Sequence, residues 1–230
     1  MAPTVFKSEF AVNMTCSSCA DSVRSTLSGI DGIDKIDIQL PEKRVMVEGA
    51  VPPSTIFRAL KATGLATVLR GQGSTGSANI GAAVCIFETF QGAKGWAQFN
   101  NKGLARLQQV DEQTCLIDVA VDGLQEGHWT AAVHTLGDIS KGIESTGPEF
   151  AELGSFEVGP SGRGDLVAET SKLKVWDVIG RSIVLSHQPT SGTRIPLIAG
   201  IIARSAGIFE NAKRVCSCSG RTLWEETTPF

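Results

Sequence analysis

A single change of texture divides this chain of 230 residues and limits what it can fold into. Up to Leu69 the sequence alternates strand and helix signals, whereas from Ala78 onward it breaks into short β runs punctuated by glycine. Val5 to Val12 alternates apolar with polar residues, the period of a half-buried strand, and Ala20, Val23 and Leu27 then recur at helical spacing over residues 17–27. Ile33 to Leu40 and Lys43 to Glu48 read as two strands joined at Pro41-Glu42. Pro52-Pro53-Ser54 opens a second helix through Ile56, Phe57, Ala59 and Leu60. Gly64 ends that helix, and Leu65 to Leu69 supplies a last strand. The order βαββαβ predicts a small open sheet with both helices on one face.

The stretch Arg70-Gly71-Gln72-Gly73-Ser74-Thr75-Gly76-Ser77 reads as a flexible linker. It sets the expected boundaries: a first domain over 1–71, a linker over 72–79, a second domain over 80–205 and a mobile tail over 206–230. In the second domain the runs Ala82 to Thr89, Ala93 to Phe99, Cys115 to Val121, His128 to His134, Lys172 to Val175 and Ser182 to Leu185 predict an antiparallel sandwich or barrel. With a formal net charge of −3 and no clustered basic face, the chain carries no footprint for nucleic acid. Its longest apolar run, Ile195 to Ala203, stops at Arg204, well short of the roughly 20 residues that span a bilayer. The first residues match neither a secretory signal nor a transit peptide, which predicts a cytoplasmic protein, with the mitochondrial intermembrane space as a second address.

In a reducing compartment close cysteine pairs bind metal or do redox chemistry rather than staple a fold. Four of the six cysteines lie in two such pairs, Cys16 with Cys19 and Cys216 with Cys218. Cys16 falls in the loop after the first strand and Cys19 at the start of the first helix, where free N–H groups and the helix dipole favour a negative sulfur. Residues 1–70 offer no histidine and no further cysteine, so a closed four-ligand zinc site is hard to build there, whereas low-coordinate Cu(I) suits two thiolates. A thioredoxin-like redox pair is the rival reading of the same spacing. Met14 reads as core filler beneath the loop. Cys216-Ser217-Cys218 is too tightly spaced for an unstrained disulfide, which leaves it bridging a metal or attacking another molecule's disulfide, with Lys213, Arg214 and Arg221 favouring the thiolates. Cys85 and Cys115, inside apolar strands, read as inert buried thiols.

Met14-Thr15-Cys16-Ser17-Ser18-Cys19, placed after the first strand of a βαββαβ unit, resembles the heavy-metal-associated domain of copper chaperones and copper-transporting ATPases. That resemblance implies a ferredoxin-like α+β domain and selects copper over redox. Gly123 to Asp138, Thr146-Gly147-Pro148, Gly164-Asp165-Leu166 and Ile179-Gly180-Arg181 resemble copper/zinc superoxide dismutase, which implies an all-β Greek-key barrel. The likeness also implies His134 and Asp165 as remnants of a metal site. Ala132 and Glu149 stand where histidine ligands would be, and His187 lies one place past the position occupied by Ser186. Ile143 and Ala199 replace the two cysteines of that family's disulfide. Three histidines in the whole chain cannot build an imidazole-based copper–zinc pair, so dismutase turnover is not expected.

Val178, Ile179, Gly180, Arg181, Gly200, Ile201 and Ile202 match the stretches through which dismutase subunits pair. They imply a heterodimer with a copper/zinc superoxide dismutase subunit, a homodimer face being the alternative. The segment Arg214 to Glu226 around the second cysteine pair is similar to the tail of copper chaperones for superoxide dismutase. Taken together, the resemblance implies a metallochaperone that carries Cu(I) to its client and promotes disulfide formation there, with a copper transporter at the membrane as a further candidate partner. Cys16, Cys19, Cys216 and Cys218 would be the metal ligands, with Cys216 and Cys218 exchanging thiols. A divergent dismutase and a copper buffer without a client are the rival functions.

Overall fold

The computed structural model describes residues 5–74, 80–87, 102–189 and 195–205. Its first domain is β1 (Phe6–Val12), α1 (Ser17–Ser28), β2 (Ile33–Gln39), β3 (Arg44–Gly49), α2 (Pro53–Ala62) and β4 (Thr67–Ser74), with the strands in the order β2-β3-β1-β4. That is the βαββαβ arrangement expected from the periodicities. Phe10, Val12, Val45, Val47 and Leu69 line one face of the sheet and meet Val23 and Leu27 of α1 and Ile56, Phe57 and Leu60 of α2. Phe10 stacks on Phe57 with ring centroids 6.5 Å apart. Burying each such side chain contributes about 1.5–3 kcal/mol, which is what holds two short helices in place.

The expected linker begins later than the composition suggests. β4 runs on through Gly71, Gln72 and Gly73 to Ser74 because β1 supplies a partner throughout, Lys7 opposite Gly73 and Ser8 opposite Gln72. Glycines that read as loop are here strand residues satisfied by a neighbour, and the remainder of the segment, 75–79, lies outside the described residues.

The second domain is a single eight-stranded antiparallel sheet, β5 (Gly81–Ile86), β6 (Lys102–Gln109), β7 (Cys115–Asp122), β8 (Gly127–His134), β10 (Glu149–Val158), β11 (Gly164–Thr170), β12 (Ser182–Gln188) and β13 (Ile195–Ser205), with short β9 (Ser140–Ile143) in the connection before β10. The order β10-β8-β12-β13-β5-β6-β7-β11 contains the crossovers of a Greek key and curls until β10 faces β11, where the backbone of Gly154 lies against Leu166. Trp129, Ile117, Val119, Val133, Ile183, Leu185 and Ile198 fill the interior, and the Trp129 indole N–H donates to the Gln125 carbonyl at 2.9 Å. The expected run Ala93 to Phe99 lies outside the described residues.

The strand expected over Lys172 to Val175 is corrected. Leu173 and Val175 are both buried, as strand alternation would have it, but Lys174 is the extended residue ahead of a one-turn helix, α3 (Val175–Val178). The Val175 N–H donates to the Gln109 side chain at 2.9 Å rather than to a neighbouring strand, so the segment plugs the barrel end instead of extending its sheet. No helix among the described residues is long and apolar enough to cross a membrane.

Candidate metal-binding site

Cys16 is the N-cap of α1, with extended backbone (φ −151°, ψ 170°), and Cys19 lies in the helix's first turn. A spacing of three across a helix start folds both thiols over the same unpaired N–H groups, and their Sγ atoms are 3.4 Å apart. The Ser18 hydroxyl lies 3.0 Å from Cys16 Sγ and Thr15 Oγ1 lies 3.8 Å from Cys19 Sγ. Cys16 is exposed, and hydrogen bonds from the Ser18 hydroxyl, the Cys19 N–H and the Cys19 thiol pull its thiol down to about 7. No carboxylate stands in the first turn to oppose a thiolate. Beneath the pair, Met14 is 1 % exposed and belongs to the core, which makes it packing rather than ligand. The Asn13 N–H donates to the Ala66 carbonyl at 2.9 Å and pins the loop to the start of β4.

Among the described residues no three histidine, cysteine or acidic side chains are grouped so as to hold a metal ion, and Cys16 and Cys19 stand as a pair of thiols open on the solvent side. Such a site takes a soft, low-coordinate ion and leaves room for an incoming thiolate, the chemistry of a carried metal rather than a structural one. The other described thiols differ: Cys85 and Cys115 are fully buried, and burial pushes Cys115 up to about 12.

Residues 9–64 match the heavy-metal-associated domain family. Over almost the whole length, the chain is 40% identical to the superoxide dismutase 1 copper chaperone of Debaryomyces hansenii, covering 96% of this chain and 94% of that protein. It is 35% identical to the protein of the same name from Saccharomyces cerevisiae, with 96% and 94% covered. It is also 36% identical to the copper chaperone for superoxide dismutase of Rattus norvegicus, with 95% and 88% covered. The chain belongs to the copper chaperones for superoxide dismutase.

Among the described residues, His134 and Asp165, expected as remnants of a metal site, are not brought together. His134 ends β8 opposite Glu149, whereas Asp165 stands at the start of β11 beside Arg163, at the end of the barrel where β8 begins. A strand of this length spans roughly 25 Å, so one ion cannot bridge them. His134 Nδ1 donates to the Gly147 carbonyl at 2.8 Å, with the Thr146 hydroxyl at 2.9 Å. Asp165 is held by two cations, Lys61 Nζ at 2.9 Å and Arg163 Nε at 2.9 Å. His128 pairs with Glu157 at 2.6 Å, and the His187 ring lies 5.2 Å from Trp129.

The two stretches expected to form a partner surface do come together: the Gly180 N–H donates to the Ile202 carbonyl and the Ile202 N–H to the Arg181 carbonyl, both at 2.8 Å. Their side chains divide, however. Val178 and Ile202 point into the barrel and are 0 % and 1 % exposed, so they are core residues and not contact residues, a correction forced at Ile202 by strand alternation and at Val178 by its place on the inward side of α3. Ile179 packs partly against the same core, while Ile201 is 41 % exposed. Gly200 is also required from within, since a Cβ there would lie 2.2 Å from the Ile86 carbonyl oxygen.

Sequence reasoning missed Leu136 and Phe150, which are exposed beside these stretches. Gly137, next to Leu136, approaches Gly180 so closely that a Cβ would meet its carbonyl oxygen at 2.1 Å and Ile201 at 3.5 Å. The Arg181 guanidinium lies over the Phe150 ring at 4.2 Å and donates to the Thr135 carbonyl at 2.8 Å, which ties the patch together. A large apolar residue directly after Pro148-Glu149 was the available signal for Phe150, but its facing could not be read from spacing. Cys216 and Cys218 lie outside the described residues.

Proposed function

We propose that this chain is a metallochaperone, not an enzyme, that carries copper as Cu(I) on Cys16 and Cys19 and delivers it to a copper/zinc superoxide dismutase subunit seated on its barrel. The observation that carries the reading is the open pair of sulfurs 3.4 Å apart, one of them ionising near neutrality, in a chain that aligns along its length with copper chaperones for superoxide dismutase. A two-sulfur site releases its metal by accepting a third thiolate and then losing one of the first two, so transfer needs no free ion. A zinc site is not proposed, because tetrahedral closure asks for four ligands.

The docking face is Leu136, Phe150, Ile179, Arg181 and Ile201, presented around the backbone of Gly180 and Gly200. Exposed apolar side chains around one anchored arginine suit a subunit of the same barrel type, since a pairing face of that class buries an apolar centre within a polar rim. The tail thiols Cys216 and Cys218 act at the docked client, in the cytoplasm or the mitochondrial intermembrane space. One of them and a client thiol join as a mixed disulfide, giving up two electrons and two protons to an oxidant such as dioxygen. The second client thiolate then displaces the tail thiolate, closing the client's disulfide and returning the tail.

The test mixes copper-loaded full-length protein with disulfide-reduced, copper-free dismutase and measures complex formation and dismutase activity. We expect a one-to-one complex and activation that Cys216→Ser with Cys218→Ser abolishes. Self-association alone, or undiminished activation by that variant, would overturn the client docking or the tail's part respectively.

A further inference from the structure

The outer face of β6, β7 and β11 carries contacts built for the first domain. Along β11, Leu166 turns into the barrel while Asp165, Val167 and Glu169 turn outwards, and α2 lies along them in the opposite direction. At the helix's first turn the Ser54 N–H and hydroxyl both donate to the Glu169 carboxylate, at 2.9 and 2.6 Å. At its last turn Lys61 Nζ donates to Asp165 at 2.9 Å, and between the two pins Val167 packs against the core of the first domain. Pro52, the residue at the N-cap of α2, supplies no side-chain acceptor, so Glu169 caps a helix that belongs to another domain.

A second contact rests on Arg106. Asp118 holds its guanidinium, which donates to the Leu69 and Arg70 carbonyls of β4 at 2.9 and 3.3 Å. The register of β4 against β1 shifts at this point, leaving an irregularity in the ladder that the arginine serves. A third contact is Phe6 packed against Val110 and Leu116.

The junction is polar rather than core-like. Ser8, two residues along the same face from Phe6, its cross-strand partner Gln72, and Gln108, the cross-strand partner of Leu116, are all buried, yet Ser8 Oγ, both Gln72 amide atoms and Gln108 Oε1 have no hydrogen-bond partner. The Lys61 side chain is 46% exposed, open to screening by salt. A permanent interface would be apolar and satisfied, whereas this composition is that of a contact which forms and opens.

We infer that the outer face of β6, β7 and β11 is a docking platform for the chain's own first domain, engaged through Glu169, Asp165 and Arg106 and released by charge screening. Nitrogen-15 relaxation on the full-length protein tests this by giving a rotational correlation time for each domain. At about 0.05 M salt, where charges act over roughly 14 Å, the two domains should tumble as one body, and near 0.5 M the first domain should separate. Lys61→Met with Glu169→Ala should separate it at low salt, shortening its correlation time by about twofold and the barrel's by a smaller factor. Independent tumbling of the wild type at low salt would remove the platform. A correlation time unmoved by salt, an arm that needs no substitution, would remove release by screening, and one unmoved in the double variant would remove the assignment to these residues.

Discussion

The first domain and the barrel each present two cysteines to the described structure, and the pairs have opposite chemistry. Cys16 and Cys19 sit over a helix start, where hydrogen bonds pull Cys16 down to about 7, while Cys85 and Cys115 sit inside an apolar barrel that pushes Cys115 up to about 12. The residue type is the same, so the difference belongs to its surroundings: the Ser18 hydroxyl and the Cys19 N–H stabilise a thiolate, and a medium of side-chain carbons penalises it. The first domain keeps its sulfurs at or near the surface. The barrel hides Cys85 and Cys115.

Substitution separates the two pairs most decisively. Cys16→Ser or Cys19→Ser should abolish copper transfer to copper-free dismutase, measured as recovered dismutase activity, while Cys85→Ser and Cys115→Ser should leave transfer intact and instead lower stability by about 1–3 kcal/mol through the buried hydroxyl, read from denaturant unfolding. Retained transfer in either member of the first set would move the metal elsewhere. Ile201→Glu should separate docking from copper carriage: the complex with dismutase disappears from size-exclusion profiles, while copper bound per chain stays the same.

The ionisation difference is sharpened by pH. Cys16 reacts as a thiolate, so its alkylation by iodoacetamide should rise as pH increases through about 7 and be about tenfold faster at pH 8 than at pH 6, whereas Cys115 in the folded protein stays unreacted across that range. Peptide mass spectrometry of pulse-alkylated protein reads both sites at once. The smallest effect is expected at Met14. Met14→Leu should cost less than about 1.5 kcal/mol and leave copper affinity unchanged, because the side chain fills space beneath the loop. Weakened copper binding would make its sulfur a ligand after all.

How much could be read in advance depends on the range of the interactions. The first domain was legible because each element carried its own period and its own stop signals, down to Pro53 and Gly64. In the barrel, β10 hid because its register shifts twice, between Glu149 and Ala151 and between Glu152 and Gly154, which destroys a period of two. Lys102–Gln109 hid because Arg106 and Gln108 interrupt its apolar residues and it opens on Lys-Gly. Lys172 to Val175 misled in the other direction, since alternation is shared by a strand and by a plug that points two side chains the same way. Asp165 matched a local pattern, but its partner Lys61 stands 104 residues away and nothing nearby announces it.

The sequence by itself determined the thiol pair, because three residues across a helix start bring two thiols together with no help from the rest of the chain. It also determined the βαββαβ order and the short-stranded character of the second domain. Only the tertiary structure decided which members of the partner stretches face outwards, that Val178 and Ile202 are core while Leu136 and Phe150 are surface, and that Asp165 and Glu169 meet Lys61 and Ser54 of the first domain. Alternation and capping are set by neighbours in sequence, whereas the facing of a strand and the partner of a charge are set by what the fold brings against them.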